Sequence, residues 1–365
     1  MQGGGEDQVK RVLGSGVTGG AVTGGAGTGK YVAPAQGRPF GFAARGLIVA
    51  VCAAALALSA CSNDQAPLTT PDGKTISTST TRIAEVNVVS ADRDYGRTCL
   101  APTAAANPQS DPARIVVTDP ALLDDLCALG LGPKVTAVTA APGSIPAYLG
   151  PQLTSVPTIG ARPDQDAVTT AAPELVLTTP ATAASAQAFG GITTATIATD
   201  DSWQKRFQKV ADALGRSAEG TRLLTEFRDE ATTTGKRMDA AHNQVSLVRF
   251  TKDSEVIAGT GTFAGQILQM IGVQRPAPQR GADSVTVTDK NFTDADGDLI
   301  YVSFEGKDGL AHGKAVLLSD RWLNMGAPTW KRVLSVNDEI WYAGTGLAAA
   351  WLVLNDVKDS LNGNS

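Results

Sequence analysis

The chain is poor in the side chains that most direct chemistry requires. Only two histidines, His242 and His312, occur in 365 residues, each alone among small or polar neighbours. Proteins that grip bare zinc or manganese bring several histidines and carboxylates together, so no direct metal site is expected. There is no Gly-x-Ser-x-Gly elbow, and neither histidine has an evident acid–base neighbour, so an enzyme is not expected either. No block of Lys and Arg interrupts a mildly acidic balance of net −5, which removes nucleic acid as a partner. Beyond the first 60 residues no apolar run is long enough to span a membrane.

Two short stretches imitate sites without the required context. "GGAGTGKY" (Gly24 to Tyr31) offers the spacing of a phosphate-cradling loop, but Tyr31 stands where Ser or Thr would hold magnesium. No buried strand precedes it, and the region reads as a long leader or a misassigned start codon. Asp294, Asp296, Asp298 and Glu305 occupy the first, third, fifth and twelfth places of a calcium-loop template. Leu299 sits where that loop needs Gly, and Leu299 to Phe304 reads instead as a buried strand led in by solvated carboxylates.

The one markedly apolar run, "LIVAVCAAALALSAC", follows Arg38 and Arg45 and ends in small residues. At roughly 15 residues it is short for a span and has the form of a secretory signal. Leu58-Ser59-Ala60-Cys61 resembles the bacterial lipobox, which implies a lipidated Cys61 as the first residue of the exported chain and attachment to the outer face of the cell membrane. Cys52 would leave with the signal, so Cys99 and Cys127 remain. In an exported protein they are most simply a disulfide, the other reading being two free thiols. Such a bond would close a loop of about 28 residues, worth about 3 kcal/mol on the chain-entropy model.

Ser62 to about Pro112 is rich in Thr, Ala, Pro, Asn and Asp and has no sustained period, so it reads as a linker. Order begins at "ARIVVTDPALLDDLCALGLGPKVTAVT", where Arg114 to Val117 and Val135 to Val138 are apolar strands flanking a helix. Leu122, Leu123, Leu126 and Leu129 keep helical spacing, with Asp119 as N-cap. Uniformly apolar strands are the mark of a parallel sheet buried on both faces. The alternation continues through a short strand at Ile159, a helix at Gln165 to Ala172, and strands at Glu174 to Leu177 and "TTATIATD". A long helical pattern from Ser202 to about Ala241, broken near Gly215, precedes a second alternating set that ends in the helix "GLAAAWLVLNDVKDSL". The expected organisation is leader and signal 1–60, linker 61–112, N-terminal α/β lobe 113–201, connecting helix 202–242 and C-terminal α/β lobe 243–365. One stiff connector between two Rossmann-like lobes allows small hinge motions only, and ligands of open parallel sheets sit beyond the strands' carboxyl ends.

The ordered set "RIVVTDPALLDDLCALGLGPKVTAV", "TIGARPDQDAVTTAAPELVLTTP", "SWQKRFQKVADALGR", "GTFAGQILQMIGV" and "RVLSVNDEIWYAGTGLAAAWLVLNDV" resembles the class III, helical-backbone (chelatase-like) periplasmic binding proteins. These feed iron-siderophore, haem and cobalamin ABC importers, and the subgroup most similar is the actinobacterial ferric-siderophore (ferric-citrate-like) binding lipoproteins. The resemblance implies a monomer that carries no cofactor and captures a ferric siderophore between its lobes. It would deliver that cargo to a permease and its ATPase. Haem is the rival cargo, and a surface interaction protein without transport is a third reading.

Ferric siderophores are usually anionic or neutral discs with a flat organic periphery, which calls for cations for the charge and aromatics for the flat surface. Arg162, in the turn after the Ile159 strand, and Arg249, near the end of "VSLVRF", fall at strand carboxyl ends, one in each lobe. Either they face a common anion or they sit in local surface ion pairs. Trp341 and Tyr342 precede the turn Gly344-Thr345-Gly346 and are expected to wall the ligand, the other reading being packing under the loop; Phe263, after "GTGT", is a further lining candidate. Trp203 opens the connecting helix as a lining residue or as packing between lobes, and Trp322 is assigned to the core.

Overall fold

The computed structural model describes residues 84–85, 99, 111–199 and 202–362. The leader, the signal, Cys61 and most of the linker lie outside the described residues. Strand β1 (Ala84–Glu85) comes first. The N-terminal lobe follows as β2 (Ile115–Val117), α1 (Leu123–Ala128), β3 (Val135–Val138), α2 (Gly150–Thr154), α3 (Gln165–Ala171), β4 (Leu175–Thr178), α4 (Ala183–Ala186) and β5 (Thr193–Thr196). All four strands are parallel, in the order β3-β2-β4-β5. Every residue of β2 and β4 is buried, whereas the threonines of β5 are exposed, as befits an edge strand. The strand expected at Ile159 is reduced to a single bridge between Val138 and Thr158. Asp119 does cap the first helical turn, accepting from the Ala121 amide at 3.0 Å, and Pro120 supplies a preset φ there.

The long helical pattern is two helices, α5 (Trp203–Ala213) and α6 (Ser217–Arg237). Gly215, at φ +71°, makes the corner between them in a conformation that side chains resist. Ser202 opens α5 by accepting from the Lys205 amide, and Lys236 and Arg237 close α6 where cations suit the helix dipole.

The C-terminal lobe runs β6 (Val245–Phe250), β7 (Glu255–Ile257), α7 (Phe263–Ile271), β8 (Val285–Thr286), β9 (Leu299–Phe304), α8 (Gly306–Leu317), α9 (Asp320–Leu323), α10 (Gly326–Thr329), β10 (Val333–Ser335), α11 (Asp338–Trp341) and α12 (Leu347–Ser360). Its sheet has the order β1-β10-β9-β6-β7-β8, with β10, β9 and β6 parallel and β7 and β8 antiparallel. β1 pairs parallel with β10 and so extends this sheet with a segment from far upstream. Cys99 is bonded to Cys127 in α1, the disulfide expected from cysteine count.

Alternation along β6 divides the core. Val245 and Leu247 face a cluster that runs without interruption through α1, α5, α6, α7 and α12, whereas Val248 and Phe250 face a second cluster around Trp322. The first cluster joins the lobes. Its aromatic centre is Phe227, edge-on to both Trp203 (5.8 Å) and Trp351 (5.1 Å). Burial of such large rings anchors the helices of the connector to α12.

An ionic seam tightens that junction. Asp124 of α1 accepts from the Ala348 and Ala349 amides at 2.8 and 3.0 Å, capping the first turn of α12 from the other lobe. Gly346 is required by this approach, because a Cβ there would lie 2.1 Å from Asp124 Oδ1. Next to it, Arg206 of α5 binds Asp125 at 2.9 Å and also donates to the Thr345 carbonyl. Burial raises the Asp125 carboxyl to about 7 against the opposing pull of Arg206.

Candidate functional site

The carboxyl ends of the two sheets adjoin. On the N-terminal side they carry Thr118, Thr139, Thr178 and Thr179, and on the C-terminal side Arg249, Ser303 and the loop after β10. The Ala147 amide, in the loop after β3, donates to Glu339 Oε2 in α11 at 2.9 Å, and Thr345 lies against the Ala121 carbonyl after β2. The segments that leave the strand ends of one lobe therefore meet those of the other, which is where ligands of open parallel sheets bind.

The N-terminal mouth is polar but nearly uncharged. Thr118 hydrogen-bonds Thr178 and Thr182, both at 2.7 Å, and Thr179 donates to Asp119 at 3.0 Å. These hydroxyls satisfy one another and fix the strand-end loops. Arg162 follows the bridge at Thr158, is exposed, and makes no ion pair among the described residues.

The C-terminal mouth is organised around Arg249. Its Nε and Nη2 donate to the two oxygens of Asp338 at 2.8 and 2.7 Å, and Glu305 lies 3.2 Å away. The Ser303 hydroxyl donates to Asp338 Oδ1 at 2.9 Å. The guanidinium also lies over the Tyr342 ring, 5.2 Å from its centre. Arg249 is thus one member of a bidentate pair, and of the two readings open to it the local ion pair is the one found.

The adjacent aromatics part company. Trp341 is fully buried, packs on Tyr301 at 4.7 Å and donates to Asp356 at 2.8 Å, so it belongs to the core and not to a ligand wall. Trp341 ends α11 inside the first core cluster, whereas Tyr342 follows as its C-cap and packs against that cluster from the edge. Tyr342 stays half-buried under Arg249. Burial raises its hydroxyl well above the ordinary range, with Arg275 and Arg249 pulling the other way. Phe263 is half-buried at the start of α7, edge-on to Trp203 at 5.9 Å. Trp203 itself is 6% exposed and packs between helices, which removes it from the lining. Trp322 is in the core, its indole nitrogen donating to Glu255 at 3.0 Å.

Sequence reasoning missed Asp338 and weighed Glu305 only as a calcium-template acid, although Glu305 directly follows β9 and Asp338 comes three residues after β10, where the strand-end rule used for Arg249 would have found them. It also missed Arg275, in an irregular stretch with no periodicity to draw attention. Arg275 is 6% exposed, donates to the Ala258 carbonyl and Gln279 at 2.7 Å, and leaves Nε and Nη1 unpaired. Burial lowers it to about 10, which still leaves it a cation near the Tyr342 hydroxyl at neutral pH. Two of the calcium-template acids are used for backbone: Asp296 accepts from Gly326 and Ala327, and Asp298 from Gln244. A groove lined by Asn243, Asp296, Asp298, Trp330 and Arg332 opens at the opposite, amino-terminal ends of the C-terminal strands. Among the described residues no helix is long and apolar enough to cross a membrane.

Residues 115–339 match the model of the periplasmic binding protein family, and the chain belongs to that family, a class of binding proteins and not of enzymes. A curated relative is the probable siderophore-binding lipoprotein YfiY of Bacillus subtilis (strain 168), 25% identical over 169 residues. That match covers 43% of this chain and 52% of the relative, so it spans about half of the relative's length. Among solved structures, SirA of Staphylococcus aureus in complex with staphyloferrin B is similar with a TM-score of 0.56 and 20% identity, over 70% of this chain and 94% of SirA. Unliganded FhuD2 of Staphylococcus aureus gives a TM-score of 0.58 and 18% identity, over 69% of this chain and 98% of FhuD2. At these identities the two structures establish the shared two-lobed α/β fold.

Proposed function

We propose that this chain is the substrate-binding lipoprotein of an ABC importer. In this reading it captures a ferric siderophore between the strand-end loops of its two lobes and hands it to a membrane permease served by an ATPase. What supports this is the meeting of both sheets' carboxyl ends in a chain of the periplasmic binding protein family, with Arg249 stacked on Tyr342 on the C-terminal side and Arg162, after the Thr158 bridge, on the N-terminal side; Phe263 is kept as a lining candidate. The name of the Bacillus relative supports a siderophore as cargo. The lobes share one apolar cluster and an ionic seam, so capture would proceed through small closure about the connector, leaving iron wrapped in its chelator.

Titration of the purified chain with ferric siderophores and with haem, followed by tryptophan fluorescence, tests the cargo. Saturable quenching by a ferric siderophore is expected. Quenching by haem alone would move the assignment to haem, and no saturable response to either would end it. The lipid anchor, which falls at Cys61, is tested separately by labelling cells with a lipid precursor: the label is expected to vanish in Cys61→Ala, and its persistence would reject the anchor.

A further inference from the structure

We infer that the crevice is built for a neutral or cationic ferric chelate and discriminates against polyanionic ones, with Asp338 as the residue that sets the choice. This rests on the siderophore reading above and narrows it to a charge class.

Of the described cations, Arg249 alone lies on a parallel strand of the C-terminal sheet, and it is spoken for by two acids, Asp338 at 2.7 Å and Glu305 at 3.2 Å. Asp338 is not free to swing aside. It holds Arg249 through both oxygens and accepts from Ser303, while its own backbone opens α11. Glu339, next in the chain, adds another acid, and its carboxylate already serves the Ala147 amide across the lobes. The N-terminal mouth contributes hydroxyls, Asp119 and the single exposed cation Arg162. Adjacent exposed residues of opposite sign, Lys252 with Asp253 and Lys307 with Asp308, offset each other near the strand ends. Once those two offsetting pairs are set aside, the groups named are four acids, Asp338, Glu305, Glu339 and Asp119, against three cations, the buried Arg275 included.

A chelate with several negative charges would meet Arg249 with Asp338 and Glu305 beside it, and if it displaced Asp338 it would leave both acids unpaired where water is partly excluded. Like charges brought together in that way cost affinity, and specificity commonly arises from such repulsion as much as from attraction. A neutral or cationic chelate leaves the Arg249–Asp338 pair intact. It can present donors or a positive group to the acids while its organic surface meets the Tyr342 ring, which the guanidinium above it holds in place.

The test varies charge on one scaffold. Ferrioxamine B is a cation, its N-acetyl derivative is neutral and its N-succinyl derivative is an anion; a ferric tris-catecholate supplies a trianion. Dissociation constants are measured for the full chain and for Asp338→Asn and Glu305→Gln, the latter at an exposed side chain that leaves folding secure. Wild type is expected to favour the cationic and neutral forms over the anions by about tenfold or more, and Asp338→Asn to shift the anion-to-cation ratio toward the anion by a similar factor. Glu305→Gln is expected to move the ratio the same way by less. Tightest binding of the trianion by wild type, or a ratio that neither variant moves, would overturn the charge rule while leaving the siderophore reading standing. Failure of all four chelates to bind would instead remove the siderophore reading, and the charge rule with it.

Discussion

Two arginine–aspartate pairs in this molecule have nearly the same geometry and different surroundings. Arg206 and Asp125 meet at 2.9 Å in the seam between lobes, with side chains 8% and 0% exposed. Arg249 and Asp338 meet at 2.7 Å at the carboxyl ends of the C-terminal strands, with side chains 26% and 18% exposed. Burial decides what each pair does. In the seam, water cannot replace a lost partner, so the pair fastens α1 and α5 to the segment that opens α12. At the mouth, water and a ligand compete for the same groups, so the pair sets charge and orients Tyr342 while contributing little to folding.

The largest effect that would break this contrast lies in the seam. Arg206→Met is expected to cost about 3–5 kcal/mol of stability, the scale for stranding a buried carboxylate, read by chemical denaturation. Asp125 in the variant escapes by taking a proton, so the loss should shrink on acidification; a loss below about 1 kcal/mol at neutral pH would show that the seam pair is idle. The wild type carries the same signature more weakly. Burial raises Asp125 from 3.8 to about 7, so between those values the folded chain binds more protons than the unfolded one. Stability should therefore fall as pH rises from about 4 to about 7, and Asp124, also raised by burial, adds in the same direction. Melting temperatures that instead climb across that window would contradict the assignment. The smallest stability effect belongs to the mouth: Arg249→Met should cost about 1 kcal/mol or less while changing chelate affinity measurably. A stability loss as large as that of Arg206→Met would erase the distinction.

The same contrast explains what could be read without coordinates. Strands β2, β4, β6 and β9 were legible because parallel strands buried on both faces need unbroken apolar runs, and Gly215 marked the break in the long helical pattern. The lipobox and the cysteine count pointed to export, and the Cys99–Cys127 bond follows from the latter. The candidate site was approached by the strand-end rule, which singled out Arg249 and Arg162. Partners were not legible, because Asp338 lies 89 residues beyond Arg249 and nothing local announces the pair. Nor could sequence separate Trp341 from Tyr342: which of two adjacent aromatics faces the core depends on how α11 is set against Tyr301 and Asp356.

The central claim, that cargo sits where the two sheets' carboxyl ends meet, is tested most directly by hydrogen–deuterium exchange of the chain with and without a bound ferric siderophore. Protection is predicted in the strand-end segments around Thr118–Asp119, Ile159–Pro163, Arg249–Ser254 and Ser303–Glu305, together with the Asp338–Thr345 stretch. Protection confined to the opposite end of the C-terminal lobe, around Trp330 and Arg332, or absent from the strand ends altogether, would contradict it.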